Sequence, residues 1–361
     1  MERVYNFNPG PAILPLEALK EAQKDLLNYK GIGMSIMEIS HRSQDFKTIL
    51  TETKNLFRRI LEIPDNYEIL FLQGGASLQF AMVPMNFLTK DKKAGYILTG
   101  SWSKKAFKEA KLFGDAYIVA NTEEDKKFRR IPKQEELKIQ PDSVYIHITS
   151  NNTIFGTQWK TFPDVGNIPL IADMSSDILS RKFDVNKFSL IYAGAQKNLG
   201  PAGVTIVIIK KEMLSYANEN LTTMLQYKTH VENDSLYNTP PVWCIYMVKL
   251  VLEWMEREGG LEKIQQINEQ KGKLLYGLMD KYPDFYRTTV DDDSRSLMNV
   301  TMRLPNEDLE KEFIDKATKA GFVGLKGHRS VGGIRVSMYN ALPLEGIEKL
   351  VEFMEDFKNS H

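Results

Sequence analysis

The sequence predicts an α/β protein in which a mainly parallel sheet lies between helices and a smaller α+β domain follows. Three observations lead to this fold class. Short apolar runs alternate with longer amphipathic runs from about residue 50 to residue 211. A glycine pair, Gly259-Gly260, separates two long helical patterns. Polar residues and glycines follow directly after several of the apolar runs, as ligand-binding residues do at the edge of a parallel sheet.

The short apolar runs are predicted to be strands. They are rich in β-branched and aromatic residues and apolar throughout, which is typical of strands covered on both faces by helices. The longer runs between them have the spacing of amphipathic helices, so the pattern indicates successive βαβ units. The predicted strands contain YEILFL, AGYILTG, SVYIHITS, IPLIAD, FSLIYAGA and VTIVIIKK.

The region after the glycine pair is predicted to form the smaller domain. The helical run VWCIYMVKLVLEWMERE ends at Gly259-Gly260, which we interpret as a helix stop or hinge. A second long helix, a strand, a helix, a strand pair within FVGLKGHRSVGGIRVSMY and a last helix follow. We therefore expect a large domain over residues 16–260 and a small C-terminal domain over 261–361. An N-terminal segment, 1–15, is expected to associate with the small domain.

Composition argues against several classes of partner and site. Lysine plus arginine number 47 and aspartate plus glutamate also 47, so no net charge attracts nucleic acid or an anionic membrane. The single cysteine, Cys244, cannot form an internal disulfide, and no Cys/His cluster has the spacing of a metal site. No run approaches the roughly 20 apolar residues of a membrane span. We expect a cytoplasmic protein with no metal.

A glycine-rich turn follows the first predicted strand. Gly74-Gly75-Ala76-Ser77 precedes a helical pattern, and the free backbone N–H groups at a helix N-terminus can bind an anion such as phosphate. A Gly-Gly turn is more often only a turn, so this signal is weak by itself.

Two charged residues end neighbouring predicted strands. Asp173 ends the run IPLIAD, where a carboxylate is costly to desolvate unless a cation meets it. Lys197 follows the next strand within the small-residue turn AGAQKNLGPAG, so a parallel sheet brings both to one edge. The spacing suits a shared ligand better than a direct salt bridge. Pyridoxal phosphate has a suitable group for each of these positions: an aldehyde for Lys197, a ring nitrogen for Asp173, a flat face for Trp102 and a phosphate for the glycine turn. By itself, Trp102 is more typical of a core or interface residue.

The chain as a whole resembles the fold-type I pyridoxal-phosphate transferases, and in detail the phosphoserine aminotransferases of the class V aminotransferase family. The resemblance covers essentially the whole chain. It implies a seven-stranded, mainly parallel sheet and a homodimer with active sites shared across the interface. The motifs that carry it are NFNPGPAILP, EISHRS, LQGGASLQF, SNNTIFGTQ, ADMSSD, AGAQKNLGPAG, YNTPP and GHRSVGGIRVSMYN, together with Trp102.

The resemblance implies three catalytic residues. Lys197 would hold one pyridoxal phosphate per subunit as a Schiff base and move the substrate proton, Asp173 would keep the ring nitrogen protonated, and Trp102 would stack on the ring. The other implied cofactor-binding positions are Ala76, Ser77, Thr153 and Gln196, with Asn238 and Thr239 contributed by the neighbouring subunit.

Substrate recognition is expected to rest on basic residues. Two of the five histidines begin the same tripeptide, and paired basic side chains suit a doubly charged phosphate, although each pair alone is more typical of an ordinary surface. The implied phosphate- or γ-carboxylate-binding residues are His41, Arg42, His328 and Arg329, and the implied α-carboxylate-binding residue is Arg335. The implied reaction moves the amino group of L-glutamate to 3-phosphohydroxypyruvate, in serine biosynthesis. The same enzyme could also serve vitamin B6 biosynthesis by forming 4-phosphohydroxythreonine.

Other functions are compatible with parts of this pattern. An alanine–glyoxylate type aminotransferase shares the cofactor site but needs no phosphate pocket. A non-catalytic homodimer that binds pyridoxal phosphate is a second alternative. A cysteine desulfurase is less favoured, because Cys244 lies in an apolar predicted helix and is more typical of a core residue.

Overall fold

The computed structural model describes residues 3–361. Its α-helices are α1 Leu16–Asp25, α2 Gln44–Leu61, α3 Gly75–Phe87, α4 Ser101–Ala110, α5 Tyr227–Glu232, α6 Val242–Arg257, α7 Gly260–Lys281, α8 Glu307–Lys319 and α9 Leu344–Asn359. Its strands are β1 Tyr5–Asn6, β2 Tyr67–Leu72, β3 Lys93–Leu98, β4 Asp115–Asn121, β5 Glu123–Glu124, β6 Lys127–Phe128, β7 Ser143–Thr149, β8 Asn151–Asn152, β9 Thr157–Gln158, β10 Leu170–Asp173, β11 Leu190–Gly194, β12 Thr205–Lys210, β13 Arg287–Thr288, β14 Asn299–Arg303, β15 Phe322–Val323 and β16 Ile334–Ser337.

The central sheet confirms the predicted fold class. Its seven strands lie in the order β2-β12-β11-β10-β7-β3-β4. Strand β12 runs antiparallel to both of its neighbours, and the other pairs are parallel, so six strands run in one direction. Consequently, the turns that follow β2, β3, β7, β10 and β11 all lie at one edge of the sheet. In α/β proteins this edge is where ligands bind.

Helices cover both faces of the sheet, and the alternation of side chains along β2 shows how. Ile69 and Phe71 belong to one core, with residues of α2 and α6. Leu70 and Leu72 belong to another, with residues of α3 and α4. Because successive side chains of a strand point to opposite faces, a strand with helices on both sides must be apolar at every position. This explains the uninterrupted apolar runs of the sequence.

The residues after Gly260 form a second core around the antiparallel sheet β13-β14-β16. Phe7 and Ile13 of the N-terminal segment belong to this core, and β1 pairs in parallel with β15. We propose the domain division given above, with the N-terminal segment on the small domain, and these contacts support it. Residues 1 and 2 of that segment lie outside the described residues.

The predicted strand pair near the C-terminus differs from the structure. Strand β15 pairs with β1, whereas β16 pairs with β14. A loop with Gly324, Gly327, Gly332 and Gly333 separates β15 from β16, and one bridge, between Lys326 and Ile334, joins its ends. The loop therefore takes the place of a hairpin, and it carries His328.

The glycine pair acts as the predicted helix stop. Helix α6 ends at Arg257, and Gly259 and Gly260 have φ values of 100° and 75°, a region that favours glycine. Helix α7 begins at Gly260. Within residues 3–361, none of the helices is long and apolar enough to span a bilayer.

Candidate active site

A cavity of about 320 Å³ lies at the carboxyl edge of the central sheet. Its wall combines turns that follow strands of the sheet with the N-terminal segment and the small domain. The sequence-predicted residues that line it are Ala76, Ser77, Trp102, Thr153, Asp173, Gln196, Lys197, His328 and Arg335. Residues far apart in the chain are therefore brought to one place.

Asp173 is a buried carboxylate at the end of β10. Its side chain is 5% exposed, and the backbone N–H of Ser175 donates to Oδ1 at 3.0 Å. Burial raises the pKa of Asp173, and the Ser175 hydrogen bond and the charge of Lys197 oppose that rise. Within residues 3–361 no lysine, arginine or histidine forms an ion pair with it. The carboxylate can therefore receive a cationic ligand.

Lys197 lies in the turn after β11, partly buried in the cavity wall. Burial lowers the pKa of its ammonium group, against the opposing charges of Asp173 and Asp177. The N-terminal segment comes close, since a Cβ on Gly10 would lie 3.5 Å from Lys197 Cγ. The amine is thus biased toward its neutral form, which a nucleophile requires.

The glycine turn after β2 forms an anion-binding geometry. Gly74 and Gly75 have φ values of 87° and 65°, and a Cβ on Gly74 would lie only 2.6 Å from Leu78 Cβ. Helix α3 begins at Gly75, so Ala76 and Ser77 lie in its first turn, where N–H groups lack acceptors within the helix. These N–H groups and the helix dipole can hold a phosphate at this end of the cavity.

Trp102, Thr153 and Arg335 form a connected wall. Trp102 Nε1 donates to Thr153 Oγ1 at 3.0 Å, and Arg335 Nη1 donates to the backbone oxygen of Thr153 at 2.9 Å. The hydroxyl of Thr153 accepts from the indole, so its own proton is free to be donated to a ligand oxygen.

Arg335 places positive charge on the small-domain side of the cavity, next to His328 in the cavity wall. Arg335 is 6% exposed, and its Nε has no hydrogen-bond partner among the described residues. A buried guanidinium N–H without an acceptor is costly, so a carboxylate in the cavity would satisfy it. Burial and the charges of Arg335, Arg329 and Lys105 lower the pKa of His328.

These side chains fit pyridoxal phosphate. The cavity offers a buried carboxylate for a ring nitrogen, an amine for an aldehyde, an indole for the ring and a helix N-terminus for the phosphate. Asp173 and Lys197 form no ion pair with each other, so each has its polar atoms free for a common ligand.

The remaining predicted residues do not line this cavity. Arg42 and Arg329 are exposed. Asn238 Nδ2 donates to Gln73 Oε1 at 3.4 Å, and Gln73 Nε2 donates to the backbone oxygen of Thr239 at 3.4 Å. Gln73 immediately precedes the glycine turn. His41, like Arg42, lies in the segment before α2 and outside the cavity wall.

The two His-Arg-Ser tripeptides have different local structures. Ser43 caps α2 by accepting the backbone N–H of Phe46 at 3.2 Å. Ser330 instead pairs with His328, with 2.7 Å between its Oγ and the ring Nδ1. The sequence likeness therefore does not reflect a repeated structural unit.

Sequence reasoning missed several residues of the cavity wall, among them Pro9, Gly10 and Ser175. Pro9 and Gly10 line it, and the Pro-Gly-Pro turn in NFNPGPAILP was the available signal. Ser175 both donates to Asp173 and accepts the N–H of Gly194 at 3.1 Å, through its Oγ. Its position two residues after a strand-ending aspartate is typical of an Asx turn.

Cys244 lies away from this chemistry. It is on α6, its thiol donates to the backbone oxygen of Ala202 at 3.4 Å, and it is not part of the cavity wall. Burial raises the pKa of the thiol, which disfavours the reactive thiolate. The position therefore gives no support to a desulfurase.

Comparison with known proteins decides the family. The family model described as Aminotransferase class-V matches residues 4–350. The chain belongs to the class V aminotransferase family. This confirms the expectation of a pyridoxal-phosphate-dependent transaminase.

Several relatives of this aminotransferase are named phosphoserine aminotransferase. A protein of Lysinibacillus sphaericus named phosphoserine aminotransferase is 56% identical over 360 residues, covering 100% of this chain and 99% of that protein. The solved phosphoserine aminotransferase of Bacillus circulans subsp. alkalophilus has a TM-score of 0.97 at 54% identity, covering 100% and 99%. That of Trichomonas vaginalis, with pyridoxal phosphate bound, has a TM-score of 0.93 at 38% identity, covering 98% and 100%.

Proposed function

We propose that this chain is a phosphoserine aminotransferase, which moves the amino group of L-glutamate to 3-phosphohydroxypyruvate. The products are O-phospho-L-serine and 2-oxoglutarate, formed in two half-reactions. The observation that carries the proposal is 56% identity over the full length to a phosphoserine aminotransferase. The cavity supports it, because an amine, a carboxylate, a helix N-terminus and a buried arginine line the same space.

The residues at the sheet edge take distinct parts. When bound, pyridoxal phosphate supplies an electrophilic carbon and a ring that accepts the electron pair left on the substrate α-carbon. Lys197 Nζ takes the proton from the α-carbon in one half-reaction and returns one in the other, as a general base and acid. The Asp173 carboxylate holds a proton on the ring nitrogen. Trp102 covers the ring face, and the first turn of α3 holds the phosphate group of the cofactor.

Two other groups orient the substrate. Arg335 receives the α-carboxylate, since its Nε is buried without an acceptor. His328 and Arg329 receive the side-chain phosphate or the γ-carboxylate of glutamate. Because this cationic site accepts either the phosphate or the γ-carboxylate, the same position can bind the substrate of each half-reaction.

The proposed enzyme is a homodimer in which His41, Arg42, Asn238 and Thr239 complete the neighbouring site. Two features of the described surface support it. Arg42 and Thr239 are exposed, and neither of them lines the cavity of its own chain. The segment before α2 also exposes large apolar side chains, with Leu27, Met34 and Met37 at 88%, 43% and 59%. Apolar side chains grouped in this way are typical of interfaces.

Comparing amino acceptors tests the substrate. With L-glutamate as donor, 3-phosphohydroxypyruvate should be used with a kcat/KM at least about 100-fold above that of hydroxypyruvate, because two or more charge-assisted contacts are lost without the phosphate. Equal use of pyruvate or glyoxylate would refute the proposal and favour an alanine–glyoxylate type enzyme.

Mixing two inactive variants tests the shared site. Homodimers of Lys197→Ala and of Arg42→Ala should each have low activity. Heterodimers should regain it, since one of their two sites then has both Lys197 and Arg42. If the two residues act within one chain, mixing restores nothing. The Lys197→Ala protein mixed with itself is the control.

Serine biosynthesis in the cytoplasm is the setting we propose. The single cysteine supports a reducing compartment. A longer phosphorylated keto acid, the precursor of 4-phosphohydroxythreonine, is a further proposed substrate of the same site, which would link the enzyme to vitamin B6 biosynthesis.

A further inference from the structure

Helix α4 places a charged side chain next to Trp102. The helix begins at Ser101, directly after the carboxyl end of β3, so Trp102 is in its first turn. Lys105 is three residues further on and lies on the same helix face. Its Nζ is 4.3 Å from the centroid of the Trp102 ring, the distance of a cation–π contact.

The charge of Lys105 has no acidic partner in the part of the chain that the structure describes. The neighbouring Lys104 donates to both carboxylate oxygens of Glu123 at 2.8 Å. Lys105 forms no such ion pair with any residue between 3 and 361, and it is exposed. Two adjacent lysines of one helix therefore differ: one is paired, and the other is held on an aromatic ring with its charge available.

Lys105 lies outside the cavity but within electrostatic range of it. Trp102 lines the cavity and Lys105 does not, although its ammonium group contacts the Trp102 ring. Its positive charge is nevertheless one of those that lower the pKa of His328, with Arg335 and Arg329. The same field that disfavours a proton on His328 attracts an anion that approaches the cavity.

We propose that Lys105 is a specificity-determining residue, which adds to the positive charge of Arg329 and Arg335 beside His328 and favours capture of keto acids with a doubly charged phosphate. The inference rests on the proposed function. It assigns Lys105 an effect on encounter and affinity and no part in proton transfer, because Lys105 does not line the cavity.

The variants Lys105→Gln and Lys105→Arg test this role, with Lys104→Gln as the matched control from the same helix turn. For each, kcat/KM is measured with 3-phosphohydroxypyruvate and with hydroxypyruvate, at low ionic strength and at about 0.5 M salt. A unit charge roughly 10 Å from a doubly charged group in water predicts about a fourfold loss of kcat/KM for the phosphorylated acid in Lys105→Gln. The loss should lie in KM and vanish at high salt, because screening removes interactions of this range. Lys105→Arg should restore the wild-type value.

A second readout does not depend on turnover. Inorganic phosphate is used as a competitive ligand of the holoenzyme. Its affinity should be lower for Lys105→Gln by a similar factor, and its affinity for Lys104→Gln should equal that for the wild type. Equal losses for both keto acids, or a loss of cofactor affinity, would show that Lys105 merely supports Trp102 and overturn the proposal. A wild-type enzyme with no preference for the phosphorylated acid would instead overturn the proposed function.

Discussion

Trp102 and Thr153 are joined by a hydrogen bond of 3.0 Å from the indole Nε1 to the threonine Oγ1. The bond connects the first turn of α4, which follows β3, to the turn after β8, which comes shortly after β7. Strands β3 and β7 are neighbours in the central sheet. The hydrogen bond fixes the plane of the indole and directs the threonine proton elsewhere. Thr153 thus orients the indole and keeps one donor, which under the proposed function would meet a cofactor oxygen.

Thr153→Val should weaken cofactor binding while keeping the shape of the wall. Loss of one buried hydrogen bond and one donor predicts about a 5- to 30-fold higher Kd for pyridoxal phosphate, equal to roughly 1–2 kcal/mol. Thr153→Ser keeps the hydroxyl and should stay within about threefold of wild type. The Kd is measured by titrating cofactor-free protein and following the quenching of tryptophan fluorescence. If Thr153→Ser and Thr153→Val weakened cofactor binding equally, the role assigned to the hydroxyl would be wrong.

Asp173→Asn should reduce kcat by at least about 100-fold, because the buried carboxylate no longer holds the ring proton. Asp177→Asn is the control, since Asp177 is also buried but lies outside the cavity wall, where it accepts from Gln158 Nε2 at 3.1 Å. It should lower thermal stability and change kcat by less than about tenfold. A kcat near wild type for Asp173→Asn would refute the assigned role.

Cofactor affinity should also fall at low pH. Burial raises the pKa of Asp173 in the cofactor-free protein, so its carboxylate form is lost at a higher pH than for an ordinary aspartate. Binding of a protonated ring nitrogen requires the ionised form. Affinity for pyridoxal phosphate, measured as above in a series of buffers, should therefore decline on acidification, and it should decline less in Asp173→Asn.

Arg335→Met should raise the KM of both substrates, since both have an α-carboxylate. A charge-assisted hydrogen bond contributes about 1.5–3 kcal/mol, which predicts about a 10- to 150-fold rise in KM. Arg329→Met should affect the phosphorylated acid more than pyruvate. Steady-state kinetics with 3-phosphohydroxypyruvate and with pyruvate distinguish the two arginines. If Arg335→Met impaired only the use of the phosphorylated acid, Arg335 would be the phosphate-binding residue and the present assignment would be wrong.

Lys271 supports the small domain from α7. It is fully buried, and its Nζ donates to the backbone oxygens of Met338, Tyr339 and Leu342 at 3.3, 3.0 and 3.1 Å. Lys271→Met removes the buried donor that these three carbonyls share, which should lower the free energy of unfolding by about 2–4 kcal/mol. Lys273→Met, an exposed position of the same helix, should change it by less than about 0.5 kcal/mol.

The Lys271 contribution should depend on pH. Burial lowers the pKa of Lys271 to about 7, so between pH 7 and about 10 the unfolded chain binds more protons at this site than the folded one. Folded wild-type protein should therefore gain stability relative to Lys271→Met as the pH rises through this window, in urea titrations. A difference that is constant with pH would show that Lys271 keeps its proton throughout.

The sequence predicted the central sheet well, because strands covered on both faces leave uninterrupted apolar runs. It did not reveal β4, an edge strand whose residues are mostly half-buried or exposed, with Val119 alone fully buried. The pairing of β1 with β15 was also hidden. Each has only two residues, and pairing across more than 300 positions leaves no local pattern.

Residues of the candidate site could be predicted from the sequence where a charged side chain stands among apolar or small residues. A carboxylate that ends an apolar strand and a lysine among glycines are each anomalous, so Asp173 and Lys197 are visible in the sequence. Ser175 and Lys105 are ordinary residues whose roles come from a hydrogen bond and from a ring contact. Only the folded geometry identifies them.

An absorbance titration of the purified holoenzyme tests the central claim most directly. Addition of L-glutamate should remove the visible band of the cofactor bound to Lys197, and addition of 3-phosphohydroxypyruvate should restore it, whereas hydroxypyruvate at the same concentration should restore little. Lys197→Ala, loaded with pyridoxal phosphate, should lack the wild-type band and its cycle. A band that forms equally in Lys197→Ala, or that every keto acid restores equally, would contradict the account.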